Sequence, residues 1–103
     1  MATYRTICTT RDIPEGQARM FVVGDMMFGI FNIGGEFFAL DNRCPHAGAS
    51  LAHGYIEGDT VACRIHHWRF RIRDGKHLDT NRSEKCARTF PLRIVGDEIQ
   101  VAW

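Results

Sequence analysis

No run of eighteen apolar residues occurs anywhere in the 103-residue chain, which excludes a membrane-crossing helix and makes a membrane partner unexpected. Charge of one sign is not in excess either. Thirteen Lys and Arg against twelve Asp and Glu leave a formal charge of +1, far from the basic balance of a protein that lives on phosphate backbones, so nucleic acid is not an expected partner. The opening residues, Met1-Ala2-Thr3-Tyr4-Arg5-Thr6-Ile7-Cys8-Thr9-Thr10, contain no unbroken apolar stretch of the kind that leads a secreted chain, and the expectation is a cytoplasmic protein. Helical signals are missing too: no window shows a capped stripe at 3.6-residue spacing, and no repeat of about 20 to 50 residues recurs. What remains is one domain over residues 1–103, with a single core and no room for a large catalytic scaffold. A domain this small often leans on a metal or a cross-link, which directs attention to its four Cys and five His.

Strand patterns dominate. Trp68-Arg69-Phe70-Arg71-Ile72-Arg73 alternates strictly, with Trp68, Phe70 and Ile72 on one face and the three Arg on the other, before a turn at Asp74-Gly75. Phe90, Leu92 and Ile94 alternate up to a turn at Gly96-Asp97, and Ile99, Val101 and Trp103 alternate after it, which predicts a hairpin. A second hairpin is expected between the apolar residues 26 to 33 and residues 36 to 40 across Gly34-Gly35, with a further short strand over residues 20 to 23. The fold class is therefore all-β, a small sandwich or barrel. Residues 41 to 67 depart from the strand pattern, being rich in small residues and turn formers, and are expected to be loops that carry a site.

Two motifs in and around that region supply metal-ligating side chains: Cys44-Pro45-His46 and, after sixteen intervening residues, Cys63-Arg64-Ile65-His66. Each offers one thiolate and one imidazole. Two such loops side by side can close a four-ligand cage, for mononuclear zinc or for a two-iron, two-sulfide cluster in which one iron takes both Cys and the other both His. The small residues favour the cluster, because bridging sulfides accept hydrogen bonds from backbone N–H groups that Ala47, Gly48 and Ala49 can bring close. Pro45 stiffens the first loop.

This C-x-H, spacer, C-x-x-H pattern in a small all-β chain resembles the Rieske iron–sulfur ferredoxins, and the resemblance spans essentially the whole sequence. It implies a β-sandwich with a small cluster-binding subdomain formed by two ligand loops within residues 41–71, and one Rieske-type [2Fe-2S] cluster. Cys44 and Cys63 would hold the inner iron, His46 and His66 the outer one. Such a chain is an electron carrier with no catalytic residues of its own, taking single electrons from a flavoprotein reductase and passing them to a terminal enzyme. High-potential members carry an extra Cys in each loop, joined as a disulfide, and a Ser near the second motif; Ala49, Ile65 and Trp68 stand there instead. The resemblance therefore implies a potential near the low end of the Rieske range, roughly −150 mV, and disfavours quinol oxidation. Oxygenase ferredoxins often have Gly after the second ligand His. Here His66-His67-Trp68-Arg69-Phe70, followed by Cys86-Ala87-Arg88-Thr89-Phe90-Pro91, looks more like the small subunit of an NAD(P)H-dependent nitrite reductase, with the ferredoxin of an aromatic-ring-hydroxylating dioxygenase as the alternative and a structural zinc module as the reading of another class.

The other side chains have plainer expectations. Cys8 and Cys86 read as small buried fillers, His67 as a solvent-facing loop residue, and His53 and His77 as residues without a role in the chemistry. Trp68 and Phe70 read as core. The row Arg69, Arg71 and Arg73, with Arg64 nearby, is expected to be a solvated strand face, the alternative being a surface that steers an acidic partner.

Overall fold

An apolar run such as Met26-Met27-Phe28-Gly29-Ile30-Phe31-Asn32-Ile33 suits a strand covered on both faces. In the computed structural model, which describes residues 2–44, 49–65, 67–79 and 86–103, that run is the centre of the molecule. Ten strands are described: β1 (Tyr4–Thr9), β2 (Gln17–Val23), β3 (Met26–Ile33), β4 (Glu36–Asp41), β5 (Tyr55–Glu57), β6 (Thr60–Ala62), β7 (Arg69–Arg71), β8 (Thr89–Phe90), β9 (Leu92–Val95) and β10 (Glu98–Ala102). They form three antiparallel sheets in the orders β1-β10-β9, β2-β3-β4-β8 and β5-β6-β7. No α-helix occurs among the described residues, only 3-10 turns at Thr10–Asp12 and Leu51–His53.

The four-stranded sheet is the middle layer, and the period of two assigns its faces. Phe28 and Ile30 of β3 and Ala39 of β4 point into a core completed by Ile13, Phe90, Ile99 and Val101. Phe31 and Leu40 point the other way, into a second core with Leu51, Val61, Phe70, Ile72 and both loop cysteines, Cys44 and Cys63. The hairpin between β3 and β4 pairs Ile33 with Glu36 across Gly34 and Gly35, whose φ of 63° and 90° are those of a two-residue turn closed by glycine. Gly96 and Asp97 also close β9 on β10 in two residues, with only Gly96 at positive φ, 64°.

The structure departs from the sequence expectations in several places, beginning with two cores where one was expected and a β2 that starts at Gln17 rather than at residue 20. β1 carries a single buried residue, Cys8, and is held by its pairing to β10 with a bulge between Thr6 and Cys8. The stretch 41–67, expected to be loops, contains β5 and β6, whose three-residue lengths leave no period to read. β7 stops at Arg71 because the chain turns there, with Gly75 N donating to the Arg71 carbonyl at 2.7 Å, although Phe70 and Ile72 are buried as the alternation requires. Finally, Pro91 divides the expected strand over residues 90 to 94: Phe90 pairs with Ala39 in the middle sheet, Leu92 pairs with Val101 in the outer one, and Ile94 is exposed.

Candidate metal centre

Of the four expected ligands, Cys44 and Cys63 are described; His46 and His66 lie outside the described residues, as do Pro45, Ala47 and Gly48. Cys44 follows the end of β4 and Cys63 the end of β6, and both side chains are buried in the same apolar cluster, at 2% and 0% exposure. The two loops close alike. The Cys44 N–H donates to the Ala49 carbonyl at 2.8 Å, and the Cys63 N–H donates to the Trp68 carbonyl at 2.9 Å, each bond reaching five residues along the chain. In the second loop the His67 N–H also donates back to the Cys63 carbonyl at 2.8 Å. Two sulfurs brought into one dry cluster by tight loops suit a soft metal centre, which holds thiolates and balances their charge where water cannot.

Different structures brace the two loops. Behind the first stands Asn42, fully buried, whose backbone N–H donates to the Met27 carbonyl at 2.8 Å and whose carbonyl accepts from Leu51 N at 2.7 Å. Its side-chain amide donates to Ser50 Oγ at 2.8 Å, and its Oδ1 accepts from Ala52 N at 2.8 Å, so every polar group of the residue is used. Ser50 Oγ in turn lies 2.6 Å from His53 Nδ1, giving that exposed histidine a place in the brace. The second loop rests on aromatic rings. His77, 2% exposed, stacks on Trp68 at 4.4 Å and on Phe70 at 5.1 Å, and forms an isolated β-bridge with Phe70. The two loops meet at Gly54, where a Cβ would lie 2.4 Å from the Ala62 carbonyl oxygen, so only glycine lets the exit of the first loop pass the strand that enters the second. Neither Asn42 nor His77 stood out in the sequence, since their roles depend on contacts that no local motif encodes.

His67 is exposed, as expected, and is the one described non-glycine residue with positive φ, at 59°. That conformation is one that glycine adopts without steric cost. Its ring stacks on Tyr55 at 5.9 Å, and the Arg64 guanidinium lies 4.8 Å from the same ring while Arg64 Nε donates to the His53 carbonyl. The expected basic row is internally neutralised: Arg69 pairs with Asp79 at 2.7 Å, Arg71 with Asp74 at 2.5 Å and Arg73 with Glu36 at 3.4 Å. The Arg71 hydrogen bond holds the Asp74 carboxyl down to about 2, and that of Arg69 lowers Asp79. The row is thus ion-paired and solvated, with Arg69 and Arg71 on β7 and Arg73 in the turn beyond it. Cys8 is a buried filler whose thiol burial pushes up to about 11, and Cys86 is half-buried.

Comparison with known proteins extends this geometry. The Rieske [2Fe-2S] domain family matches residues 3–91. The chain is 37% identical over 93 residues to the 3-phenylpropionate/cinnamic acid dioxygenase ferredoxin subunit of Escherichia coli strain K12, covering 89% of this chain and 86% of that one. Among solved structures, the ferredoxin of carbazole 1,9a-dioxygenase from Nocardioides aromaticivorans superposes with a TM-score of 0.85 at 25% identity, over 96% of each chain. A Mycobacterium tuberculosis protein assigned as the small subunit of an NADH-dependent nitrite reductase reaches 0.87 at 23% identity, over 100% of this chain and 96% of that one, a likeness of fold alone.

Proposed function

The chain belongs to the Rieske [2Fe-2S] domain family and carries one Rieske-type cluster, and from that premise we propose that it is the ferredoxin of an aromatic-ring-hydroxylating oxygenase system. It is an electron-transfer component and not an enzyme by itself. The family replaces the zinc reading. Cys44, His46, Cys63 and His66 are the proposed ligands, within residues 41–71 of a single domain over residues 1–103. The observation that carries the site is the burial of Cys44 and Cys63 in one apolar cluster, each at the start of a loop closed by the same hydrogen bond.

When bound, the cluster supplies a one-electron couple; what this chain's described residues would do is keep its two thiolates dry and fixed. The core around Phe31, Leu40, Leu51, Val61 and Phe70 keeps water from the two sulfurs, and the hydrogen bonds at Cys44 and Cys63 leave those two residues little freedom to reorganise as charge changes. Ala49 and Ile65, where a disulfide would sit in high-potential members, support a low potential and hence a reductive role. A flavoprotein reductase is the proposed donor, an oxygenase the proposed acceptor, and the cytoplasm the proposed compartment. No helix among the described residues is long and apolar enough to cross a membrane.

The identity to dioxygenase ferredoxin subunits supports the oxygenase acceptor over the nitrite reductase that the His66-His67-Trp68-Arg69-Phe70 pattern suggested. Anaerobic isolation of the tagged chain from its native cells, with an absorption spectrum of the large protein that accompanies it, separates the two. A second Rieske spectrum with non-haem iron is expected; sirohaem bands would transfer the chain to a nitrite reductase.

A further inference from the structure

We propose that Tyr55, Arg64, Ile65 and His67 form a docking face for a partner protein that presents carboxylates around an apolar centre. The proposal rests on reading loop 63–68 as a ligand loop, because that is what makes a face here useful for electron transfer. Two of the four are among the large apolar side chains left open to solvent: Ile65 is 56% exposed and Tyr55 52%. Exposed apolar area beside a redox site is what a transient interface covers.

Charge complementarity sets the partner's chemistry. Arg69, Arg71 and Arg73 each already have a carboxylate on this chain, whereas Arg64 pairs with no described carboxylate, and its terminal nitrogens engage no described residue. Its guanidinium is nevertheless held in place, by the ring of Tyr55 and by the carbonyl of His53. A pre-positioned guanidinium loses little freedom on binding and offers two donors to a carboxylate. His67 strengthens the case. A histidine held at φ 59° is strained where glycine would not be, and the strained residue places its ring against Tyr55. Tyr55 and Arg64, in contact with each other, are of the residue types that dominate interface energetics.

The test uses the full, cluster-loaded chain and tris(oxalato)chromate(III), a redox-inert anionic complex that presents carboxylate oxygens. Calorimetric titration should show binding that weakens with salt, and Arg64→Gln should weaken it about fivefold while Arg73→Gln, with the same change in net charge, shifts it less than about twofold. Equal effects of the two variants, or no effect of Arg64→Gln, would overturn the proposal. Ile65→Ser checks the apolar half: it should leave chromate binding unchanged and weaken the complex with the co-purifying acceptor about tenfold; an unchanged complex would equally overturn it. Each variant should keep its Rieske absorption spectrum, so that a change in binding is not a loss of cluster. If the parent protein lacks a Rieske spectrum, the ligand reading fails instead, and an acceptor with sirohaem would revise the partner without touching the docking face.

Discussion

Loop 44–49 is braced by a polar residue, Asn42, whose backbone and side chain make four hydrogen bonds, whereas loop 63–68 is braced by the rings of Trp68, His77 and Phe70. Both braces hold a cysteine at the same depth in the same core. The difference lies in how each fails. A polar brace is all-or-none, because truncating it strands buried donors that water cannot reach; an aromatic brace degrades with shape and tolerates another flat ring. Fixing a buried cysteine at the start of a loop therefore does not dictate the chemistry behind it, only that the loop base be rigid.

The harshest way to break the comparison is to remove what the loops share. Cys44→Ser and Cys63→Ser should each abolish the cluster, read as loss of bound iron and of visible absorption, while far-ultraviolet circular dichroism still reports β-structure. Retention of the chromophore in either variant would remove that cysteine from the ligand set. Next, Asn42→Ala leaves the buried Ala52 N–H without its acceptor and should cost about 3 kcal/mol in denaturant unfolding. That is enough to lower the midpoint of thermal unfolding by roughly 10 to 20 °C in a domain of this size. A smaller contrast is built into the second brace: His77→Ala should cost about 2 kcal/mol, and His77→Phe should recover more than half of that by restoring the stack. Equal losses for Ala and Phe would mean that the ring does not carry the brace.

The smallest effect lies away from both loops, at the Arg71–Asp74 pair. Asp74 has its carboxyl held to about 2 in the folded chain, chiefly by the Arg71 hydrogen bond, against 3.8 ordinarily. A depressed carboxyl stabilises the fold above its unfolded value, and that contribution fades as pH falls from about 4 toward 2. Solvent screens the pair, so Asp74→Asn should remove only a shallow part of the acid limb of an unfolding-versus-pH curve. An unchanged acid limb would show that the pair contributes nothing to stability.

The parts legible in the sequence are those whose signal is local. The β3–β4 hairpin could be read from an apolar run and two glycines, and Cys44 and Cys63 from rare residues at a telling spacing. β1, β5 and β6 could not be read, because their few buried residues show no period and their pairing comes from partners elsewhere in the chain. Asn42 was silent because its function is a set of contacts to Met27, Ser50 and Ala52, and His77 because its stack forms only when β7 folds beside it. The row of Arg69, Arg71 and Arg73 looked basic in sequence since two of its neutralising partners, Asp79 and Glu36, lie well away along the chain. The oxygenase reading likewise came from whole-chain identity, which outweighs the few residues after His66 that pointed to nitrite reductase.

The central claim is that two similarly closed loops each give one sulfur and one imidazole to a single cluster. Pulsed electron paramagnetic resonance of the dithionite-reduced protein tests it most directly, with the nitrogen couplings followed in His46→Cys and His66→Cys. Two histidine nitrogens coupled to the reduced cluster are expected, one lost in each variant; a reduced protein with no histidine coupling, or with both couplings intact in either variant, would contradict the account.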